Sequence, residues 1–316
     1  MAVTFDTLKT DATIFAELRK NPEWWQHFKE EPSLYIEIRK DNQVNVYFEG
    51  GSVARIHYCS KHKKLQVFTH HKYLMLPAPS KSSLYVECSD FIKSVYEKSS
   101  LKKISDDAIE YETKTFDEAL GKFKLVKRYK YKVKCIDMML ERIKMCYSQK
   151  NTSAGSFTKE DWSEKYIQGS LIVNNCSTHL DSEFAYNDAQ SKIRIDLIKC
   201  VDGVITFVEL KRINDGRMLH EDDNTPIEIV EQMERYRQFV EKYKAQLLTY
   251  YQRVYDIKKS LGLPVPNKRP EKINLTPELL IFDGWEKSTE GRRIHRERMY
   301  NILKEKDIKF NTITEI

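Results

Sequence analysis

Asp196, Glu209 and Lys211 are the residues of this chain whose types and spacing best suit chemistry. They lie in KIRIDLIKCVDGVITFVELKR, two apolar-rich runs joined by Asp202-Gly203, a dipeptide favoured in two-residue type I′ turns. With those two as the turn, pairing proceeds outward one residue at a time and Asp196 falls opposite Glu209. Ile195 then pairs with Leu210 and Leu197 with Val208 on the reverse face, so one side of the hairpin is expected to be apolar and the other charged. Directly opposed residues hold their Cβ atoms about 4.5–5.5 Å apart, where two carboxylates repel unless a cation neutralises them. Mg²⁺ suits such a pair, because it takes one or two carboxylates and completes its shell with water and substrate phosphate oxygens. Lys211 lies two residues beyond Glu209, hence on the same face, where its ammonium can orient an attacking water and stabilise developing negative charge. A solvent-exposed cross-strand network is the bland alternative. Like facing like argues against it, since Arg194 opposite Lys211 repeats the unfavourable pattern of the two acids.

The order Ile195-Asp196, twelve residues, then Glu209-Leu210-Lys211 resembles the PD-(D/E)XK nuclease superfamily. Gln232 and Tyr236, in QMERY four residues apart on one helical face, resemble the QxxxY element of its helicase-associated exonuclease branch. The resemblance covers roughly residues 158–310. It implies a restriction-endonuclease-like α/β/α core in the C-terminal half, with Mg²⁺ or Mn²⁺ held by Asp196, Glu209 and the Leu210 carbonyl. It also implies that Lys211 assists the water, that Gln232 and Tyr236 stand beside the acids, and that a further glutamate from an earlier helix or strand joins the site. Glu164 and Glu183 are the candidates, with Glu183 preferred. Ile195 stands where the superfamily's name has proline, a variable position that leaves the metal chemistry intact. The expected activity is metal-dependent hydrolysis of phosphodiester bonds, in DNA rather than RNA and internal rather than from ends, with a homodimer for cutting both strands. The alternative is a nucleic-acid-binding subunit of a defence or repair complex that kept the fold without cleaving.

Several elements are needed to position these residues. Thr158 and Asp161 form a capping signature for a helix that carries Glu164, Tyr166 and Val173. HLDSEFAYN reads as a strand with Leu180, Ser182, Phe184 and Tyr186 on one face and Glu183 on the other. A long helix is expected from Thr225-Pro226-Ile227-Glu228, an N-cap, an initial proline and a capping-box glutamate, running to Gly262. Its apolar stripe includes Met233, Val240, Tyr243, Leu247, Tyr251 and Val254. PELLIFDGW reads as a buried strand and RRIHRERMYNILKEK as a closing helix. Upstream, residues 33–76 alternate as an antiparallel meander and residues 86–150 read mainly helical. A polar, small-residue stretch at 148–155 sets a boundary near residue 150, between an N-terminal α+β region and a C-terminal α/β region.

The 316 residues, 41% hydrophobic, suffice for two ordinary domains or one elaborated one and exclude a disordered chain. Net charge is +6, yet residues 122–150 hold ten Lys and Arg against Asp137 and Glu141, a local +8. In KFKLVKRYKYKVK, Lys127, Arg128, Lys130 and Lys132 interleave with aromatics, a composition that suits a polyanion such as nucleic acid. Six cysteines lack CxxC or zinc-site spacing and read as free thiols. With no signal peptide and no apolar run near 18 residues, a cytoplasmic protein is expected. VITFVELK and IFDG superficially suggest a kinase, but no glycine-rich loop precedes them and no HRD-like loop lies between.

Overall fold

Alternating apolar residues draw residues 34–70 into strands, and left-handed turn residues fold those strands back on one another. The computed structural model describes residues 7–70, 85–87, 108–117, 122–131, 158–187, 192–218 and 227–316. Helices α1 (Thr13–Arg19) and α2 (Glu23–Glu30) precede β1 (Leu34–Arg39), β2 (Gln43–Phe48), β3 (Gly51–Cys59), β4 (Lys64–His70) and β5 (Tyr85–Glu87), which form one antiparallel sheet in that order. The β1–β2 turn is Asp41-Asn42, with φ of 65° and 55°. The next turn uses Glu49-Gly50, one residue earlier than the Gly-Gly pair suggests. The expected meander is therefore present.

The expectation of helix over residues 86–150 is corrected where it can be tested. Strands β6 (Ala108–Asp117) and β7 (Lys122–Tyr131) form an antiparallel pair, so Lys127, Arg128 and Lys130 lie on a strand, with Lys127 opposite Glu112. Lys132, the stretch 135–147 and the boundary near residue 150 lie outside the described residues.

In the C-terminal half, α3 (Glu164–Asn174) leads into β8 (His179–Asn187), β9 (Lys192–Val201) and β10 (Val204–Arg212). Then come α4 (Glu228–Ser260), β11 (Lys272–Ile273), β12 (Glu278–Phe282), α5 (Glu290–Glu305) and β13 (Phe310–Ile313). The strands form a mixed sheet ordered β13-β12-β10-β9-β8, with β11 beside β10. β8, β9 and β10 run antiparallel, whereas β10, β12 and β13 are parallel. Among the described residues the fold is thus mixed α/β, with a five-stranded antiparallel sheet, the two-stranded β6–β7 pair and a mixed sheet.

Both faces of the mixed sheet are covered. Ile205 and Phe207 of β10 and Leu279 and Ile281 of β12 pack with Met233, Phe239, Val240, Leu247 and Val254 of α4 and Met299 and Leu303 of α5. On the reverse face Leu197, Val208, Leu210 and Leu280 pack with Ile167 and Ile172 of α3. The first of these clusters continues through Trp25 and Phe28 of α2 into Ile38, Val46 and Ile56 of the meander. Among the described residues no helix is long and apolar enough to cross a membrane.

Helix starts differ from expectation. The Thr158–Asp161 capping box closes only a 3₁₀ turn, after which Trp162 is extended and the helix proper begins at Glu164, capped by Ser163. α4 begins at Glu228 with Ile227 as N-cap and no side-chain cap, and Thr225-Pro226 lies outside the described residues. Its one interior irregularity is Tyr243, at φ −112° and ψ 17°.

Candidate active site

Asp202 and Gly203 adopt φ of 51° and 80°, as a type I′ turn requires, and the β9–β10 ladder runs from Val204↔Val201 to Val208↔Leu197 in the expected register. The ladder ends one pair short of Asp196 and Glu209. There the Asp196 side chain replaces the strand, its Oδ2 accepting the Leu210 N–H at 3.0 Å. On the other side of β9, the pairing with β8 passes from Ser182↔Leu197 to Phe184↔Ile195 and omits Glu183 with Asp196, and Glu183 takes a left-handed φ of 52°. The alternation of β9 changes phase at this point. Ile195 and Ile198 both join the α4 side while Leu197 joins the α3 side. Ile195 therefore does not share the Leu210 face, contrary to simple alternation. Breaks of this kind re-aim a side chain at a strand end.

The three chemical residues meet here. Lys211 Nζ donates to Glu209 Oε1 and, at 2.8 Å, to the Leu210 carbonyl, while Asp196 Oδ2 and Glu164 Oε2 each stand 3.8 Å away. Asp196, Glu209 and Lys211 are only 9%, 2% and 1% exposed, so they are not a solvated surface network. From α4, Gln232 Nε2 donates to Glu209 Oε1 at 2.7 Å and to the Tyr236 hydroxyl at 2.7 Å. The Tyr236 hydroxyl donates to the Arg194 carbonyl and lies 3.2 Å from Glu209 Oε2. Gln232 and Tyr236 thus join the acids through Glu209.

Of the two further glutamates, the structure brings Glu164 to Lys211 and turns Glu183 elsewhere. Glu164 is the first residue of α3 and is also 3.8 Å from Arg217, which is itself fixed by Asp215. The Glu183 carboxylate is held by Lys165 and Arg194. Gln168, one helical turn beyond Glu164, donates to the Asp196 carbonyl at 2.7 Å. Sequence reading missed Gln168 and Arg217. The i, i+4 spacing from Glu164 was a usable signal for the first, and none marks the second.

Burial, then the Asp196 charge, push the Glu209 carboxyl up to about 7, with Lys211 acting in the opposite sense. Burial likewise raises Glu164 and the Tyr236 hydroxyl. Burial and then Arg194 lower Lys165 to about 8.

No known protein family, curated protein or solved structure matches the chain.

The donor set therefore has to be judged on its own chemistry. Among the described residues no group of three or more His, Cys, Asp and Glu side chains closes on one point at metal-ligand range. Instead Asp196, Glu209 and the Leu210 carbonyl surround one ammonium, that of Lys211. An all-oxygen set already arranged about a cation fits Mg²⁺ or Mn²⁺ and does not fit metals that favour thiolate or imidazole.

Proposed function

We propose that the chain is a metal-dependent nuclease of the restriction-endonuclease-like kind, hydrolysing phosphodiester bonds in DNA, internally rather than from ends. The observation that carries this reading is the convergence of Asp196, Glu209, Glu164 and the Leu210 carbonyl on the Lys211 ammonium. The layering of helices on both faces of a mixed sheet, with the acids at the end of a hairpin, supports the same reading.

In this reading Asp196, Glu209 and the Leu210 carbonyl hold Mg²⁺ or Mn²⁺, which supplies Lewis-acid charge at the scissile phosphate. Lys211 has three N–H donors, of which Glu209 and the Leu210 carbonyl take two. The third is left for the attacking water or a phosphate oxygen, and the fixed positive charge favours the transition state over the substrate. Gln232 and Tyr236 hold the Glu209 carboxylate in one rotamer, and Gln168 holds the backbone of Asp196. Lys127, Arg128, Lys130 and Lys132 grip the phosphate backbone, and neutralising them flattens the salt dependence of binding. A homodimer would cut both strands.

The test is incubation of the chain with labelled single- and double-stranded DNA and RNA in Mg²⁺, Mn²⁺ or EDTA, beside folded Asp196→Ala and Lys211→Ala variants. Metal-dependent cleavage by the wild type that disappears in both variants is expected. Cleavage that persists in both sinks the assignment of the site. Binding without cleavage under every condition moves the reading to the silent nucleic-acid-binding subunit.

A further inference from the structure

Next to the candidate site, between the β1–β2 turn and β8, lies a pocket of about 210 Å³ whose lining includes Arg39, Gln43, Glu183, Ala185, Tyr186 and Tyr250. Tyr250 is more than nine-tenths buried, yet its hydroxyl has no hydrogen-bond partner among the described residues and it lines this pocket. The half-buried Gln43 side-chain amide is likewise without a partner among them. Neither group is fully enclosed, so both are open to whatever enters the pocket and can together meet a ligand that both donates and accepts. Exposed Lys40 and Asp41 add one charge of each sign to the lining, and its other charged groups are paired. Arg39 donates to Asp181 at 2.7 Å and to the Ser182 carbonyl at 2.6 Å, and Glu183 is held by Lys165 and Arg194. A balanced pocket with aromatic walls suits a neutral planar ring better than a phosphate.

The pocket is continuous with the site through single residues. The Arg194 carbonyl accepts from Tyr236 beside Glu209, while its largely exposed guanidinium reaches Glu183 on the pocket wall. Lys165 bonds the same Glu183 and follows Glu164 in sequence. Arg194 and Lys165 thus each link the pocket wall to a residue or neighbour of the candidate site.

Resting on the nuclease reading, we propose that this pocket receives one unpaired nucleobase of the strand whose phosphate occupies the candidate active site. Gln43 and the Tyr250 hydroxyl bond the base edge, Tyr186 offers ring contact, and Arg194 and Lys165 carry the adjoining phosphate. A glutamine amide has the paired donor and acceptor that a base edge requires.

The experiment uses the full chain in EDTA with single-stranded DNA carrying 2-aminopurine, read by base fluorescence and by anisotropy of an end label. The wild type should change the 2-aminopurine signal on binding. Ala185→Ile, which fills the pocket from an exposed strand position, and Gln43→Ala should each abolish that change and weaken binding about tenfold, the scale of one lost stacked base. Either variant serves alone if the other fails to fold. A wild type that leaves 2-aminopurine unchanged, or variants that bind and report like the wild type, overturns the pocket. Metal-dependent cleavage alongside a silent 2-aminopurine overturns the pocket and keeps the nuclease reading; base insertion without cleavage in any metal does the reverse.

Discussion

Among the described residues Lys211 is the cation shared by Asp196, Glu209 and Glu164, and it is almost fully buried. Removing one member of a buried charge set leaves the others uncompensated, which costs about 3–5 kcal/mol. Lys211→Met is therefore expected to lose about 3 kcal/mol of stability in EDTA, measured by urea unfolding, and to recover part of it on adding Mn²⁺. Asp196→Asn should behave differently. An asparagine oxygen can still accept from Leu210, and the substitution relieves repulsion on Glu209, so it should cost less than about 1 kcal/mol. Wild-type stability should rise with added Mg²⁺ or Mn²⁺, and Asp196→Asn should erase that rise. A metal-independent wild type, or a variant that still responds, counts against Asp196 as a ligand. These residues were legible in the sequence because a two-residue turn fixes which side chains face each other. The choice between Glu164 and Glu183 was not, because it depends on where α3 docks and on a left-handed φ at Glu183 that breaks the strand's alternation. Burial of the acids was equally invisible, since the helix that covers them is remote in sequence.

Element placement depends on a close crossing between the β2–β3 turn and α3. Gly50 sits at φ +80°, and a Cβ there would approach the Lys165 carbonyl to 2.8 Å. A Cβ on Gly169 would meet the Glu49 Cα and the Gly50 nitrogen, both at 2.8 Å. All of these neighbours are backbone, so neither side can yield by rotating a side chain. Gly169→Ala is expected to push α3 off the turn and cost about 1–3 kcal/mol by urea unfolding, despite the better helix propensity of alanine. Because α3 carries both Glu164 and Gln168, cleavage should fall more than the loss of folded protein explains. Unchanged stability would show that the crossing is loose. Strands with clean alternation and marked turns were readable, including the meander and the β9–β10 hairpin. The β6–β7 pair was misread because Lys127 interrupts the period-two stripe of Phe123, Leu125, Tyr129 and Tyr131, inside a segment that then turns to CIDMMLERIK. The start of α3 was misplaced because a capping box can close one 3₁₀ turn and stop.

The whole molecule is joined across its two halves by a buried ion cluster that no local pattern foretells. Glu37 of β1, fully buried, accepts from Lys258 of α4 at 2.7 Å and from Ser182 of β8 at 3.1 Å, and its carboxylate lies 2.7 Å from His179 Nε2. Lys258 also donates to the Leu180 carbonyl at 2.7 Å. Burial alone would raise Glu37, but Lys258 and His179 outweigh it and hold the carboxyl well below its usual range. Burial lowers the proton affinity of His179, with the Glu37 carboxylate acting in the opposite sense. With the shared apolar cluster from α2 through the meander to α4, this makes the N-terminal strands part of the fold that supports the site. Glu37→Leu and Lys258→Met should each cost about 3–5 kcal/mol, because each strands its partner's charge in the interior. The double variant should cost less than the two single losses together, by more than about 1 kcal/mol. Tryptophan fluorescence, from Trp24 and Trp25 on α2 and from Trp162 and Trp285 beyond residue 158, should report one unfolding transition coincident with circular dichroism. Additive losses would show that Glu37 and Lys258 act separately, and two resolved transitions would show that the meander unfolds without disturbing the sheet that carries Asp196 and Glu209.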